Sequence, residues 1–190
     1  NEINRMLSVG MLIKKAMKGH VDLLGPAMKV QEELMGIPSF ETPDYSELLS
    51  EEKEMIAKLK KAFLMVAGAA VQKYGMDLDA HQQLLTAAAD MLIEIYIAES
   101  TILRTEKLAK KQGEDKSKEQ IAMAKLYLYK AVDIVTQKGK ESIISFAEGD
   151  EQRMMLMGLR RFTKYTNMPN VVGLRETITA KLVAENKYCF

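Results

Sequence analysis

Residues 79–112 read DAHQQLLTAAADMLIEIYIAESTILRTEKLAKKQ, and their pattern decides the fold class. Leu84, Leu85, Ala88, Met91, Leu92, Ile95, Ala98, Ile102 and Leu108 recur at helical spacing and define one core-facing side. Asp77 or Asp79 suits the N-terminal cap. Lys107, Lys110 and Lys111 gather at the far end, where cations complement the helix dipole, and Gly113 follows as a stop. The four prolines of the chain are Pro26, Pro38, Pro43 and Pro169, so nothing from 44 to 168 forbids helix. Ala, Leu, Met, Glu and Lys dominate and Trp is absent. Strong helix formers over that length predict an all-α fold.

The same reading extends to both sides. Upstream, a helix is expected from Ser46 or Ser50, either serving as N-cap, to Tyr74, with Gly75 ending it. Met55, Ile56, Leu59, Phe63, Val66, Ala70 and Tyr74 mark its apolar face, and Ala67-Gly68-Ala69-Ala70 makes a smooth patch for close helix approach. Two earlier helices are expected, Ile3 to Lys18 and Pro26 to Met35, the first with an apolar face of Ile3, Met6, Leu7, Gly10, Ile13 and Met17. Downstream, Asp115 or Ser117 starts a helix carrying Ile121, Ala124, Leu128, Ala131, Val132 and Val135. It runs toward Phe146, with a kink or break foreseen at Gly139. Asp150 caps a shorter helix to Lys164, and Asn170 caps the last, to about Glu185. Long helices on short connections predict an up-down helical bundle with several long helices and short accessory ones. The Gly- and Pro-bearing loop divides the chain into residues 1–35, a linker 36–45 and a helical domain 46–190.

Composition excludes several function classes. The net charge is +1, from 27 basic and 26 acidic residues, which leaves no electrostatic footprint for nucleic acid. The single cysteine, Cys189, cannot form an internal disulfide, so a reducing compartment is the default. No apolar run reaches the roughly 18 residues that a membrane span needs. A chain of 190 residues buries roughly 70 % of its unfolded surface, enough for a real core.

The residues that carry chemistry are sparse. His20 and His81 have no second His or Cys at ligand spacing, against the four ligands that zinc requires. Asp90, Glu94 and Glu99 are acids in an apolar helix, but a carboxylate-bridged di-iron bundle needs Glu-x-x-His, and Ile97 and Ile102 stand where the histidines belong. No metal site is expected. The three acids are expected at helix interfaces opposite Lys or Arg, or in a polar network that fixes packing register. Arg153, Arg160, Arg161 and Lys164 are expected in a solvated face or structural ion pairs, the alternative being Arg160 and Arg161 on a phosphate, and Met154, Met155 and Met157 as core filler, the alternative being an apolar partner surface. No Gly-rich phosphate loop is present. Lys58, Lys60 and Lys61 beside Phe63 and Leu64 allow a basic amphipathic face, which an ordinary bundle helix explains equally.

The first residues, Asn1-Glu2-Ile3-Asn4-Arg5-Met6-Leu7, add a resemblance. They look like the stretch of the acyl-CoA dehydrogenases just after their catalytic Glu-Gly-Thr, in a motif of the form Glu-Gly-Thr-x-x-Ile-x-Arg, with Ile3 and Arg5 matching its end. Val9 to Gly19 resembles the last core helix of that family. Ala89 to Tyr96 and Phe146 to Glu151 resemble the C-terminal extension of its larger, very-long-chain-like members of a bacterial branch.

The resemblance implies the C-terminal region of a longer flavoenzyme, begun directly after the catalytic motif. The catalytic base would lie upstream of Asn1, so no catalytic residue is expected here, and Asn1 and Glu2 would be mere remnants of an FAD contact. The parent would oxidise a fatty acyl-CoA to its trans-2-enoyl-CoA in β-oxidation, with FAD as cofactor and electron-transfer flavoprotein as acceptor. This piece alone would bind no cofactor and catalyse nothing. The implied partners are the upstream catalytic domain and a second copy in a homodimer. A cytoplasmic place is expected, with peripheral contact to a membrane surface as its variant. The competing reading is a free-standing helical protein-interaction module. The first helix, whose apolar side would face missing catalytic helices, is expected to fold back on the rest, pair with another copy or fray.

Overall fold

The computed structural model describes residues 2–36 and 44–189, leaving aside the side chain of Met76. Seven α-helices appear among them: α1 Glu2–Met17, α2 Leu24–Met35, α3 Ser50–Tyr74, α4 Gln82–Gln112, α5 Lys118–Phe146, α6 Gly149–Phe162 and α7 Val171–Glu185. Two 3-10 turns, Gly75–Ala80 and Asp115–Ser117, bend the chain into α4 and α5. The described residues contain no strand, and the expected all-α bundle is what forms. The proposed linker falls mostly on 37–43, outside the described residues.

The centre is α3, α4 and α5. α3 and α4 run antiparallel, pinned by Lys53 to Glu106 at 3.1 Å and Lys60 to Glu99 at 2.5 Å. α5 turns back to lie parallel to α3, with Lys125 and Glu52 3.0 Å apart, and with the Lys73 ammonium donating to the Phe146 carbonyl at the end of α5. Between them Leu59, Ala62, Met91, Ile102, Ala131, Val135 and Ile143 are buried completely or nearly so. The expected inward faces of α3, α4 and α5 are the observed ones, with Tyr74, Leu92, Leu108 and Ile121 at the half-buried margin.

Gly139 does not break α5. A Cβ there would stand 2.9 Å from Leu159 Cδ1, so the missing side chain admits α6 instead. Gly158 on α6 plays the reciprocal part: a Cβ would lie 2.6 Å from Leu34 of α2 and 2.9 Å from Met65 of α3. The Ala67–Ala70 patch also serves as read, since Ala27 Cβ of α2 sits 3.3 Å from where a Cβ on Gly68 would be.

Several helix starts differ from expectation. Ser46 gives its N–H and hydroxyl to Asp44, and the Ser50 hydroxyl donates to the Glu47 carbonyl. α3 is instead entered through Leu49, held left-handed at φ 60° and buried in the core. Asp77 and Asp79 lie in the 3-10 turn, drawn there by burial of Leu78, and cap nothing; His81 precedes α4 and stacks on Tyr74 at 3.8 Å. Ser117 precedes α5, but its buried hydroxyl turns back to the Gly113 carbonyl. Asp150 lies inside the first turn of α6, paired with Arg153, and that helix ends at Phe162. Asn170 behaves as read, its Oδ1 accepting from the Gly173 N–H at 3.1 Å.

α1 folds back onto α4, one of the three outcomes expected for it. Its buried side matches the one read from the sequence only in part: Met6, Gly10 and Ile13 are half-buried as expected. Val9 is buried, Leu12 and Ile13 pack against the core, and Ile3, Leu7 and Met17 stand in solvent. Apolar residues occur around most of this helix, so its own pattern left two sides eligible. The Val9 side is the one that packs against α4.

Candidate functional site

Of the residues singled out for function, Glu2 and Asp90 lie at the seam of α1, α4 and α5, joined through Arg5. Asn1 lies outside the described residues. Glu2 opens α1 and is exposed; its carboxylate accepts from the Arg5 guanidinium at 2.8 and 2.9 Å. The other arm of Arg5 reaches across to Asp90 on α4. The hydrogen bond that Arg5 donates to Asp90 is the main reason that Arg5 is held above the ordinary arginine range; burial opposes it and Glu2 adds to it. A cleft of about 460 Å³ follows this seam, bordered by Glu2, Arg5, Asp90, Lys138 and Glu141.

The three acids of α4 part company. Asp90 takes Arg5, and Glu99 takes Lys60 at 2.5 Å, as an interface reading requires. Glu94 is half-buried, but its partner is not a cation. It accepts from the Tyr127 hydroxyl of α5 at 2.8 Å. Burial, then the bond to Glu94, pushes the Tyr127 phenol up to about 12. A neutral donor suffices here because the carboxylate keeps partial contact with water.

Elsewhere, basic residues serve structure. Lys58 pairs with Glu54, Lys60 with Glu99 and Lys61 with Glu33, so the basic side of α3 is spent on carboxylates. Arg161 joins Glu33 through its backbone carbonyl at 3.2 Å and its carboxylate at 3.6 Å, while Arg160 is exposed. Of the three methionines beside them only Met155 is core; Met154 and Met157 face solvent. Among the described residues no group of three or more His, Cys, Asp or Glu is placed to hold a metal, and no helix is long and apolar enough to cross a membrane.

One feature escaped the sequence reading. A second cleft, about 480 Å³, lies between α3, α5 and the start of α7. Tyr165 lines it, with a hydroxyl that is buried and finds no hydrogen-bond partner. Burial, and then Asp133 and the acids Glu52 and Glu51, raise that phenol above its ordinary range. The Asn167 backbone N–H and side-chain amide donate to the Glu51 carboxylate of α3 at 2.7 and 3.2 Å, a contact between residues 116 positions apart that no local pattern announces.

Both clefts mix charges: Glu51, Glu52 and Lys125 border one, and Glu2, Asp90, Glu141, Arg5 and Lys138 the other.

The sequence profile of the family described as "Acyl-CoA dehydrogenase, C-terminal domain" matches residues 58–161, more than half of the chain. The chain belongs to the acyl-CoA dehydrogenase family. It is similar to a probable acyl-CoA dehydrogenase of Bacillus subtilis (strain 168), 37 % identical over 188 residues, which are 99 % of this chain and 31 % of that protein. It is also similar to the crystal structure of an acyl-CoA dehydrogenase complexed with FAD from Bacillus anthracis, with a TM-score of 0.90 at 38 % identity, over 100 % of this chain and 31 % of that one. The chain thus spans 31 % of the length of either acyl-CoA dehydrogenase. The Arg5–Asp90 seam, α1 on α4, is where the acyl-CoA dehydrogenase-like opening residues meet the helical remainder.

Proposed function

We propose that this chain is the non-catalytic helical part of an FAD-dependent acyl-CoA dehydrogenase, whose catalytic unit precedes it. The whole-chain similarity to an FAD-bound acyl-CoA dehydrogenase more than three times its length carries this reading. In the full protein a fatty acyl-CoA would lose hydrogens from Cα and Cβ, giving the trans-2-enoyl-CoA. The FAD accepting them would be held by the preceding unit, and electron-transfer flavoprotein would reoxidise it. A homodimer is the expected assembly.

The work of these helices is mechanical. The outward stripes of α1 (Ile3, Leu7, Met11) and α2 (Leu24, Met28, Met35) are exposed and apolar at spacings of one or two turns. Contiguous faces of this kind serve as interfaces, and the catalytic unit is their occupant in this reading. The test is the full-length gene product and the 190-residue chain, assayed side by side for flavin absorbance and acyl-CoA-driven dye reduction. Flavin and activity are expected only in the full-length product. Stoichiometric flavin on the short chain, or a reading frame with an initiator Met directly before Asn1, would sink the proposal.

A further inference from the structure

The second half of α4 carries large apolar residues on two sides. Met91, Ile95, Ala98 and Ile102 point inward and are buried. On the opposite side Ile93 is 39 % exposed, Tyr96 69 %, Ile97 39 % and Leu103 51 %. At 3.6 residues per turn these four fall within about 120° of the helix circumference. Ser100, Arg104 and Lys107, all exposed, lie in the same arc. α3 and α5 flank the arc without covering it, reached by Glu99 through Lys60 and by Glu94 through Tyr127. Arg104 and Lys107 have no carboxylate partner among the described residues.

We propose that this arc is where α4 meets α4 of a second copy, antiparallel, about a two-fold axis that passes beside Ser100. The inference deepens the homodimer expected above by naming part of its surface, and it rests on that reading. The spacing selects the occupant. In a two-fold contact a residue i that meets j is met by j in return. With Ser100 on the axis, position 97 faces 103, 96 faces 104 and 93 faces 107. Each pair is complementary. Ile97 meets Leu103, apolar on apolar. Tyr96 meets Arg104, a ring and a guanidinium suited to a cation–π contact. Ile93 meets the aliphatic stem of Lys107, whose ammonium stays in water.

Ser100 is small enough to let the two helices close to the spacing of about 8–10 Å found in packed pairs. A parallel pairing would set Arg104 on Arg104 and Lys107 on Lys107, and repulsion disfavours it. The catalytic unit, in the reading above, occupies the stripes of α1 and α2 instead. From Ile93 to Lys107 the arc is about 21 Å long. That is too short to bury the roughly 800 Å² per partner of a stable dimer. The contact therefore closes only where the catalytic units already hold two copies together, and it aligns their helical parts.

The experiment uses the full-length protein carrying Ser100→Cys, oxidised mildly with copper phenanthroline and run on a non-reducing denaturing gel. Lys130→Cys, exposed on α5, serves as control, and the unaltered protein, with Cys189, sets the background. A disulfide forms only where two Cα atoms come within about 7 Å, a condition met by residues on the axis. Ser100→Cys is expected to yield a reducible product of doubled mass, and Lys130→Cys no more than the background. Adding Leu103→Asp sets an unpaired carboxylate against Ile97 of the second copy and is expected to lower the yield about tenfold. No doubled product from Ser100→Cys, an equal yield from Lys130→Cys, or a yield indifferent to Leu103→Asp would overturn the inference. Light scattering, flavin content and dye reduction of the same preparations separate the readings. An active flavoprotein dimer that fails to link at position 100 sinks this inference and leaves the function and the homodimer standing. An active monomer sinks the homodimer and this surface with it. A full-length product lacking flavin and activity sinks the function on which both rest.

Discussion

The α3–α4–α5 centre and the α1–α2 pair are made from the same kinds of residue and treat them in opposite ways. In the centre, the large apolar side chains turn inward and the charges close on one another across helix pairs. In the pair, Val9 and Val30 alone are buried, while Ile3, Leu7, Met11, Leu24, Met28 and Met35 face outward. Burial drives folding in proportion to apolar area removed from water. The centre therefore draws most of its stability from its own packing, whereas the pair buries only part of its apolar surface and leaves the rest in solvent.

The sharpest way to break this contrast is truncation at matched residues. Leu59 is fully buried in α3, and Leu59→Ala is expected to cost about 3 kcal/mol, for the lost transfer energy and the cavity left behind. Leu7 is 53 % exposed on α1, and Leu7→Ala is expected to change stability by less than about 0.5 kcal/mol. Urea denaturation of the 190-residue chain measures both. Equal losses would mean that α1 is as much a part of the core as α3.

A smaller effect is expected from overfilling. Gly139→Val would push a side chain into Leu159 and Met91, at a cost of about 1–3 kcal/mol. The same change at Gly10 on α1, where a Cβ meets nothing within 4 Å, is expected to be near neutral or to cost only a few tenths of a kcal/mol. A mild outcome at Gly139 would show that α6 can shift away, and that the seam is looser than the centre it closes.

These positions also mark what could be read from the sequence. The core faces of α3, α4 and α5 were legible because each helix has one apolar side, and a single side leaves a single way to pack. α1 was legible only in part because apolar residues lie around most of it, and which of them turn inward is decided by packing on α4, far along the chain. Gly139 looked like a break because its reason, Leu159, lies on another helix. The expected caps at Ser50 and Asp79 failed for a related cause: burial of Leu49 and Leu78 outweighed a side-chain hydrogen bond. At the seam, Arg5 and Asp90 could each be flagged but not joined, since no local pattern connects residues 85 positions apart.

That ion pair is the third test. Asp90→Asn removes the charge holding α1 to α4, and a double-mutant cycle with Arg5→Gln is expected to show a favourable but small coupling, since both groups keep contact with water. Amide exchange is expected to quicken along α1 and to stay unchanged in α3 and α5. If exchange rises everywhere, the pair and the centre unfold as one unit and the contrast between them fails.

The smallest effect lies one turn further along α4, where Glu94 meets Tyr127 and the link runs within the centre instead of to α1. The Tyr127 phenol is raised from 10.0 to about 12, by burial and then by its bond to Glu94. A raised value means that the folded state holds the proton after the unfolded chain has released it. The associated stability is complete below pH 10.0 and is lost as pH climbs to about 12. Tyr127→Phe removes this contribution, so its stability should fall less steeply than that of the unaltered chain across the same window, although it starts lower because Glu94 loses its donor. Urea midpoints of the two chains, measured at intervals through that range, make the comparison, and phenolate absorbance of the folded protein supplies an independent check. Parallel slopes would mean that the α4–α5 contact near Glu94 is no better sealed from water than the Arg5–Asp90 seam, and that centre and edge differ in their apolar packing alone.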